Sequence, residues 1–341
     1  MIEADRHVGV QGVRAGVIGL GIGEQHILGY RRAEGCDVVA ICDVDAERLR
    51  EVGERHVIGD RTVSAQELLV RDDIDVVSIC GYDDSHARYA ITALAHGKHV
   101  MVEKPVALDR GEFRELVALQ RESGRLLVSN LILRAVPRFV ELRDAIRRGD
   151  YGDIFYAEGD YIHQILHKIT EGWRGRMPGY SVVYGGGIHL IDLLRWLIGD
   201  DVVEVCGMGN KLLSQGTQFP GPDTTVNLLR FARGAIAKTT TTFGPQRTQI
   251  HRLDVFGSKQ TFVNAVGDAL RFTGPTAEDV HAVTTPYPGT RKGDLLPQFV
   301  RAIETGCEPP IDAEDVFAVM NICFACEEAI RTGRTITVPP L

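Results

Sequence analysis

Three stretches of this sequence place glycine, charged and imidazole residues where they can do chemistry. The first is Gly19-Leu20-Gly21-Ile22-Gly23, with Asp43 twenty residues beyond its last glycine. Glycines let backbone N–H groups approach a pyrophosphate closely, and a later acid can accept the hydroxyls of a ribose. The second is Glu103-Lys104-Pro105, a charged pair that ends the apolar run Val100, Met101, Val102. The third is Gly185-Gly186-Gly187-Ile188-His189-Leu190-Ile191-Asp192, where His189 and Asp192 lie three apart and so on nearly one helical face. Each has a plainer alternative: a surface turn with solvated charges for Glu103-Lys104, a hydrogen-bonded structural histidine for His189, and capping or packing for Asp192.

The elements around the first two stretches decide how they are read. Gly16, Val17 and Ile18 form an apolar run into the glycines, helical spacing follows from about Glu24 to Ala33, and Val38 to Ile41 read as a second strand ending in Cys42-Asp43. Strand, glycine turn, helix, strand and acid within about thirty residues are the dinucleotide-binding pattern. The third glycine comes one residue early, so either the turn is tighter or Gly23 has another part. Glu24, at the sixth position, is expected to point away from a pyrophosphate or to cap helical N–H groups. Asp43 would repel a 2′-phosphate and no Arg or Lys follows immediately, so NAD is expected rather than NADP. Farther on, Asp75 to Cys80 reads as a buried strand, Gly81-Tyr82-Asp83-Asp84-Ser85-His86 as its loop, Ala87 to Ala95 as a helix and Lys98 to Val102 as the next strand. That order makes a doubly wound parallel sheet whose loops face one crevice, bringing Gly81, Tyr82, His86, Glu103 and Lys104 to the cofactor. The Lys104-Pro105 bond is a candidate for cis.

The second half reads differently. Asp153 to Tyr161, Val202 to Met208, Thr224 to Phe231, Ala235 to Thr242, Gln249 to Phe256 and Gln260 to Asn264 favour strands, and turns such as Arg233-Gly234 favour antiparallel connections. Gly187 to Leu197, Gly293 to Glu304 and Ala313 to Arg331 have helical spacing. At 341 residues the chain fits two domains, divided as 1–131 and 132–341.

Composition excludes several classes. A net charge of -8 and no Lys/Arg block argue against a nucleic-acid partner. Glu3, Asp5, Arg6 and His7 stand where a secretory signal would need an apolar core, and no stretch approaches the roughly 18 apolar residues of a membrane span. A soluble, cytoplasmic protein without membrane association is expected. Of seven cysteines only Cys323 and Cys326 form a C-x-x-C, with no second pair, so buried thiols rather than a metal site are expected.

With these features in order, the sequence resembles the Gfo/Idh/MocA oxidoreductases, the group of glucose-fructose oxidoreductase and inositol dehydrogenase. The match runs from Gly19 to Gly23, through Asp43, Asp75 to His86 and Glu103-Lys104-Pro105, to the Gly185 to Asp192 stretch and the closing Arg331-Thr332-Gly333-Arg334. The resemblance implies an α/β architecture: an N-terminal Rossmann domain, then an α+β domain with a large, mostly antiparallel open sheet. It implies that Lys104 and His189 are the catalytic pair, with Asp192 as an orienter of the imidazole. It also places Asn130, Arg134, Tyr161, His163, His167, Lys168, Trp173 and Arg174 near the substrate, and it implies a homodimer or homotetramer. Many sugar dehydrogenases of the family carry an Asp where this chain has Gly185, so the full acid-assisted set is not carried over.

The chemistry suits those residue types. Taking hydride from a carbinol carbon requires a base for the hydroxyl proton, which a neutral imidazole supplies. A lysine ammonium steadies the alkoxide oxygen or anchors the nicotinamide ribose, and Glu103 would neutralise and position Lys104. The expectation is an NAD(P)-dependent dehydrogenase or reductase acting on the CH–OH group of a sugar, cyclitol or derivative, with or without an anionic group. Two other readings stay open at this point: a glycosidase or lyase that oxidises its sugar transiently with bound NAD, and a non-enzymatic cofactor-sensing regulator.

Overall fold

A computed structural model describes residues 12–341, so the polar run through Glu3 and His7 lies outside the described residues. The first sheet has six parallel strands, β1 (Val13–Ile18), β2 (Cys36–Cys42), β3 (Arg61–Thr62), β4 (Val76–Ile79), β5 (His99–Val102) and β6 (Leu127–Ser129), in the order β3-β2-β1-β4-β5-β6. All four residues of β4 and the last three of β5 are buried, as expected of strands covered by helices on both faces. The strand order reverses between β1 and β4, and the loops after β1, β4 and β5 open at that point on the same side of the sheet. A crevice there is the ligand site that such topology creates.

The second sheet has nine strands: β7 (Ile154–Ile162), β8 (Val202–Asn210), β9 (Thr224–Phe231), β10 (Ile236–Thr242), β11 (Ile250–Gly257), β12 (Thr261–Asn264), β13 (Ala269–Phe272), β14 (Val280–Val283) and β15 (Ile336–Thr337). Their order is β14-β13-β12-β11-β7-β10-β9-β8-β15, antiparallel throughout except where β7 and β10 run parallel. The helix Ile188–Ile198 packs on one face. Gly159 of β7 makes room for it, since a Cβ there would stand 3.1 Å from Leu190 and 3.2 Å from Leu194. The opposite face exposes Met208, Val226, Leu228 and Ile236.

Residues from the second half also return to the first sheet. The helix Leu296–Thr305 lies against Leu20–Tyr30, where Gly29 meets the Gly293 backbone at a separation that admits no Cβ. The helix Ala313–Thr332 sets Phe317 and Phe324 edge-on to Phe113, with ring centroids 5.9 and 5.4 Å apart. Aromatic packing of this kind holds the carboxyl-terminal helices to the Rossmann half.

Candidate active site

The helix Leu20–Tyr30 begins inside the glycine turn, one residue after Gly19. Gly19 has φ 84°, and a Cβ there would stand 2.6 Å from the Cys80 and Gly81 backbone, so only glycine fits. Around Gly21 there is open space instead. Gly23 does not border the cofactor cleft: it is buried against Val17 and Cys80, where it lets the helix sit on β1. That close packing is the other part its early position required. Glu24 points away to Arg55 and His56, so its carboxylate does not crowd the phosphate site.

The cleft beyond these strands measures about 560 Å³ and is bordered by Gly19, Gly21, Ile22, Asp43, Gly81, Tyr82 and Trp173 among others. Asp43 is buried at its floor, where Oδ2 accepts the Leu20 N–H at 2.7 Å and Oδ1 accepts the Asp45 N–H at 2.9 Å. One basic group does come near: Arg48 Nη1 lies 3.6 Å from Asp43, because the first turn of the helix Ala46–Arg55 brings it back toward the strand end. The empty volume at Gly21, the helix amino terminus and the carboxylate at the end of β2 fit an adenine dinucleotide.

A second cavity of about 160 Å³ shares Ile22, Cys80, Gly81 and Arg174 with that cleft. Lys104, Glu103, His86, Tyr161, Tyr180 and His189 line it. The Lys104-Pro105 bond is cis, and His86 Nδ1 donates to the Pro105 carbonyl at 2.7 Å, which holds the turn. Lys104 Nζ donates to the Gly185 carbonyl at 2.8 Å. Burial, with the charges of Arg174 and Lys292, lowers the Lys104 ammonium to about 8 against the opposing pull of Asp83 and Glu103. Glu103 does not hydrogen-bond Lys104. It accepts Asn130 Nδ2 at 2.7 Å and lies 3.5 Å from His26 Nε2. Burial alone would raise its pKa, but His26, Lys292 and Lys104 outweigh that and hold it well below the usual carboxylate range.

His189 is buried, and its Nδ1 has no partner among the described residues, which leaves Nε2 as the nitrogen that reaches the cavity. Burial first, then Lys104, Lys292 and His251, push its pKa well below 6.5. The ring is therefore neutral near pH 7 and able to take a proton. Gly185, Gly186 and Gly187 form a wide π-type turn before it. A side chain at 186 would run into the Tyr161 ring, and one at 185 would overlap the Tyr180 hydroxyl.

Several expected site residues stand elsewhere. Asp192 does not orient His189: its carboxylate is taken by Arg134, with Nε at 3.0 and 3.1 Å and Nη2 at 2.6 Å. Three residues along a helix share a face, but His189 looks toward the sheet-end cavity and Asp192 toward the preceding segment Ile132–Ala135. Arg134 is correspondingly not a substrate group. Its Nη1 also meets Asp315 at 2.7 Å, and it borders a separate cleft of about 620 Å³ whose walls are mainly such arginines and acids. Asn130 is fully buried and holds Glu103 and the Lys292 carbonyl rather than substrate. Trp173 packs edge-on against Tyr82, with centroids 4.8 Å apart, as a wall of the cofactor cleft. Arg174 does reach the cavity, but both oxygens of Asp83 already hold its guanidinium at 2.9 Å. Tyr161 lines the cavity and stacks on His163 at 3.8 Å.

Sequence reasoning passed over Asp83, Tyr180, His251 and Lys292. Asp83 had a signal, since it lies in the loop after β4. Lys292 had none: it sits in a turn-rich connection that the packing of Gly293 on Gly29 and the Asn130 bond to its carbonyl bring to the crevice.

Comparison with known proteins agrees with this geometry. Residues 13–131 match the oxidoreductase family described as an NAD-binding Rossmann fold, and residues 139–263 match the GFO/IDH/MocA C-terminal domain. The chain is 31% identical to a 1,5-anhydro-D-fructose reductase of Ensifer adhaerens over 95% of this chain and 98% of that protein. It is 24% identical to a myo-inositol 2-dehydrogenase of Thermotoga maritima, over 95% and 98% of the two. Its fold matches a levoglucosan dehydrogenase solved with NADH at a TM-score of 0.87 and 22% identity, covering 97% of this chain and 100% of that one.

The Arg134–Asp192 pair generates a prediction about stability. Arg134→Met leaves Asp192 charged and buried without its main partner, so urea unfolding should show a loss of about 3–5 kcal/mol. NADH binding by the folded variant should be unchanged. A strong loss of affinity with no loss of stability would return Arg134 to the ligand site.

Proposed function

Because this chain belongs to the Gfo/Idh/MocA family of NAD-binding oxidoreductases, we propose that it interconverts a secondary alcohol and a ketone on a sugar, cyclitol or sugar derivative. One observation carries the assignment: the Lys104 ammonium and the accessible Nε2 of His189 border one cavity that opens into the dinucleotide cleft. A sugar-like substrate is supported by the relatives that act on inositol and anhydrofructose.

Gly19, Gly21, Ile22, Asp43, Gly81 and Tyr82 would hold NAD, which when bound supplies the two-electron acceptor or donor at the nicotinamide. In the oxidative direction His189 Nε2 accepts the proton of the reacting hydroxyl, and Lys104 steadies the oxygen as negative charge builds on it. In the reductive direction the same imidazolium returns the proton. The Gly185 carbonyl fixes Lys104 Nζ, and Asn130 fixes Glu103 beneath it, so neither charge has to reorganise during the reaction.

The same reading makes the protein a cytoplasmic homo-oligomer. The exposed apolar side chains of Met208, Val226, Leu228 and Ile236 on the open sheet face support self-association, and among the described residues every cysteine is free, as suits a reducing compartment. Among the described residues no helix is long and apolar enough to cross a membrane.

Two outcomes test the assignment. Asp43 should make NAD bind at least roughly tenfold tighter than NADP, about 1.4 kcal/mol, and Asp43→Ala should narrow the gap. Equal affinities in titration would mean that Arg48 overrides the carboxylate. The second outcome is a pH profile measured on a substrate found by screening sugars and inositols with NAD. His189 is already neutral above pH 6.5, and Lys104 is charged only below about 8. The rate of alcohol oxidation should therefore be flat between those values and fall as pH rises through the Lys104 pKa. A rate that instead climbs through that pKa would make Lys104 the base.

A further inference from the structure

Four cationic side chains, Lys104, Lys168, Arg174 and Lys292, line the small cavity with only two carboxylates, Asp83 and Glu103. Asp83 holds Arg174 through both oxygens, and Glu103 accepts from Asn130. Gly185 contributes no acid, and the Tyr180 hydroxyl fills the space a side chain there would need. The imidazoles of His163, His189 and His251 add no charge, since burial and nearby cations depress all three, to about 3 for His163 and about 4 for His251. The surplus is therefore two positive charges in a space about the size of one sugar ring.

Where that surplus sits is equally specific. Lys104 Nζ is held in place by the Gly185 carbonyl, and Arg174 is paired with Asp83. Among the described residues, neither the Lys168 nor the Lys292 ammonium has a hydrogen-bond or ion-pair partner. They lie on different segments, and Lys168 is held below its ordinary pKa by burial and then by Arg174 and Lys292, which is the mutual repulsion expected when cations face one another across a cavity. A cavity that gathers like charges without counter-ions is stabilised by a ligand that brings the opposite charge.

We propose that the substrate carries a carboxylate or phosphate besides the reacting hydroxyl, and that Lys168 and Lys292 bind that anionic group. This rests on the dehydrogenase reading of the same cavity. Arg174 is not the anion anchor, because its guanidinium fork is already occupied.

The test uses the full chain saturated with NADH and matched probes: D-glucose against D-glucuronate and D-glucose 6-phosphate, D-galactose against D-galacturonate, and myo-inositol against its 1-phosphate. Calorimetric titration should find at least one anionic probe bound tenfold or more tighter than its neutral counterpart, with the uronates and phosphates telling which anion is taken. In Lys168→Met/Lys292→Met the margin should collapse while NADH affinity is retained, and Lys292→Arg should keep most of it. If no anionic probe binds more tightly than its neutral partner, the proposal is overturned. A neutral sugar bound and oxidised as well as its acid overturns it too, yet leaves the dehydrogenase reading standing. An anion preference with no turnover of any probe supports the proposal and counts against that reading.

Discussion

The hydrogen bond from Lys104 to the Gly185 carbonyl ties the carboxyl end of β5 to the turn that opens the His189 helix, and the whole site depends on it. A strand end in a parallel sheet delivers its side chain to the crevice but says nothing of what lies opposite. The opposite wall comes from the second sheet, and it approaches only because three successive glycines let the chain pass Tyr161, Tyr180 and Thr241 without side chains of its own. Backbone carbonyl, not carboxylate, is thus the partner that positions the ammonium. A carbonyl dipole leaves the charge of Lys104 available to a developing alkoxide, whereas a salt bridge would already have spent it.

Burial sets the proton chemistry. His163, His189 and His251 gather within 6.3 Å of ring-centroid spacing of one another or of Tyr161, and no acid among the described residues hydrogen-bonds them. Desolvation and the cations then favour the neutral rings, so the imidazole at the reacting hydroxyl is a ready acceptor at ordinary pH. Below them, Ser78, His26, Glu103 and Asn130 form a buried polar chain, with His26 Nδ1 3.0 Å from Ser78 Oγ, that anchors the charged end of β5 to the Rossmann core. The amide N–H groups of Asn130 in this network serve to position Glu103 and the Lys292 carbonyl.

Most of the Rossmann half was legible because its signals are local. Apolar runs at β1, β4 and β5, the glycine turn and Asp43 each depend on neighbours within a few residues, and their order dictates a crevice. The strands β7 to β12 were legible for the same reason, through β-branched alternation, whereas β13 and β14 were missed because strands of four residues carry little pattern. Side-chain pairing was not legible. Asp192 and Arg134 lie 58 positions apart and their bond is set by how two segments dock, so helical spacing alone pointed Asp192 at the wrong partner. Lys292 is the extreme case: its segment reads as an ordinary loop, and it is brought to the cavity by the contact of Gly293 with Gly29 of a distant helix and by the Asn130 bond to its carbonyl.

The central claim is that His189 moves the substrate proton, and a single-turnover comparison of the wild type with His189→Ala tests it most directly. With a verified substrate and saturating NAD, the chemical rate should fall about 10² to 10⁴-fold while NAD affinity stays nearly intact. A variant that keeps a near wild-type single-turnover rate would contradict the account and pass the proton to Lys104 or to a cavity tyrosine.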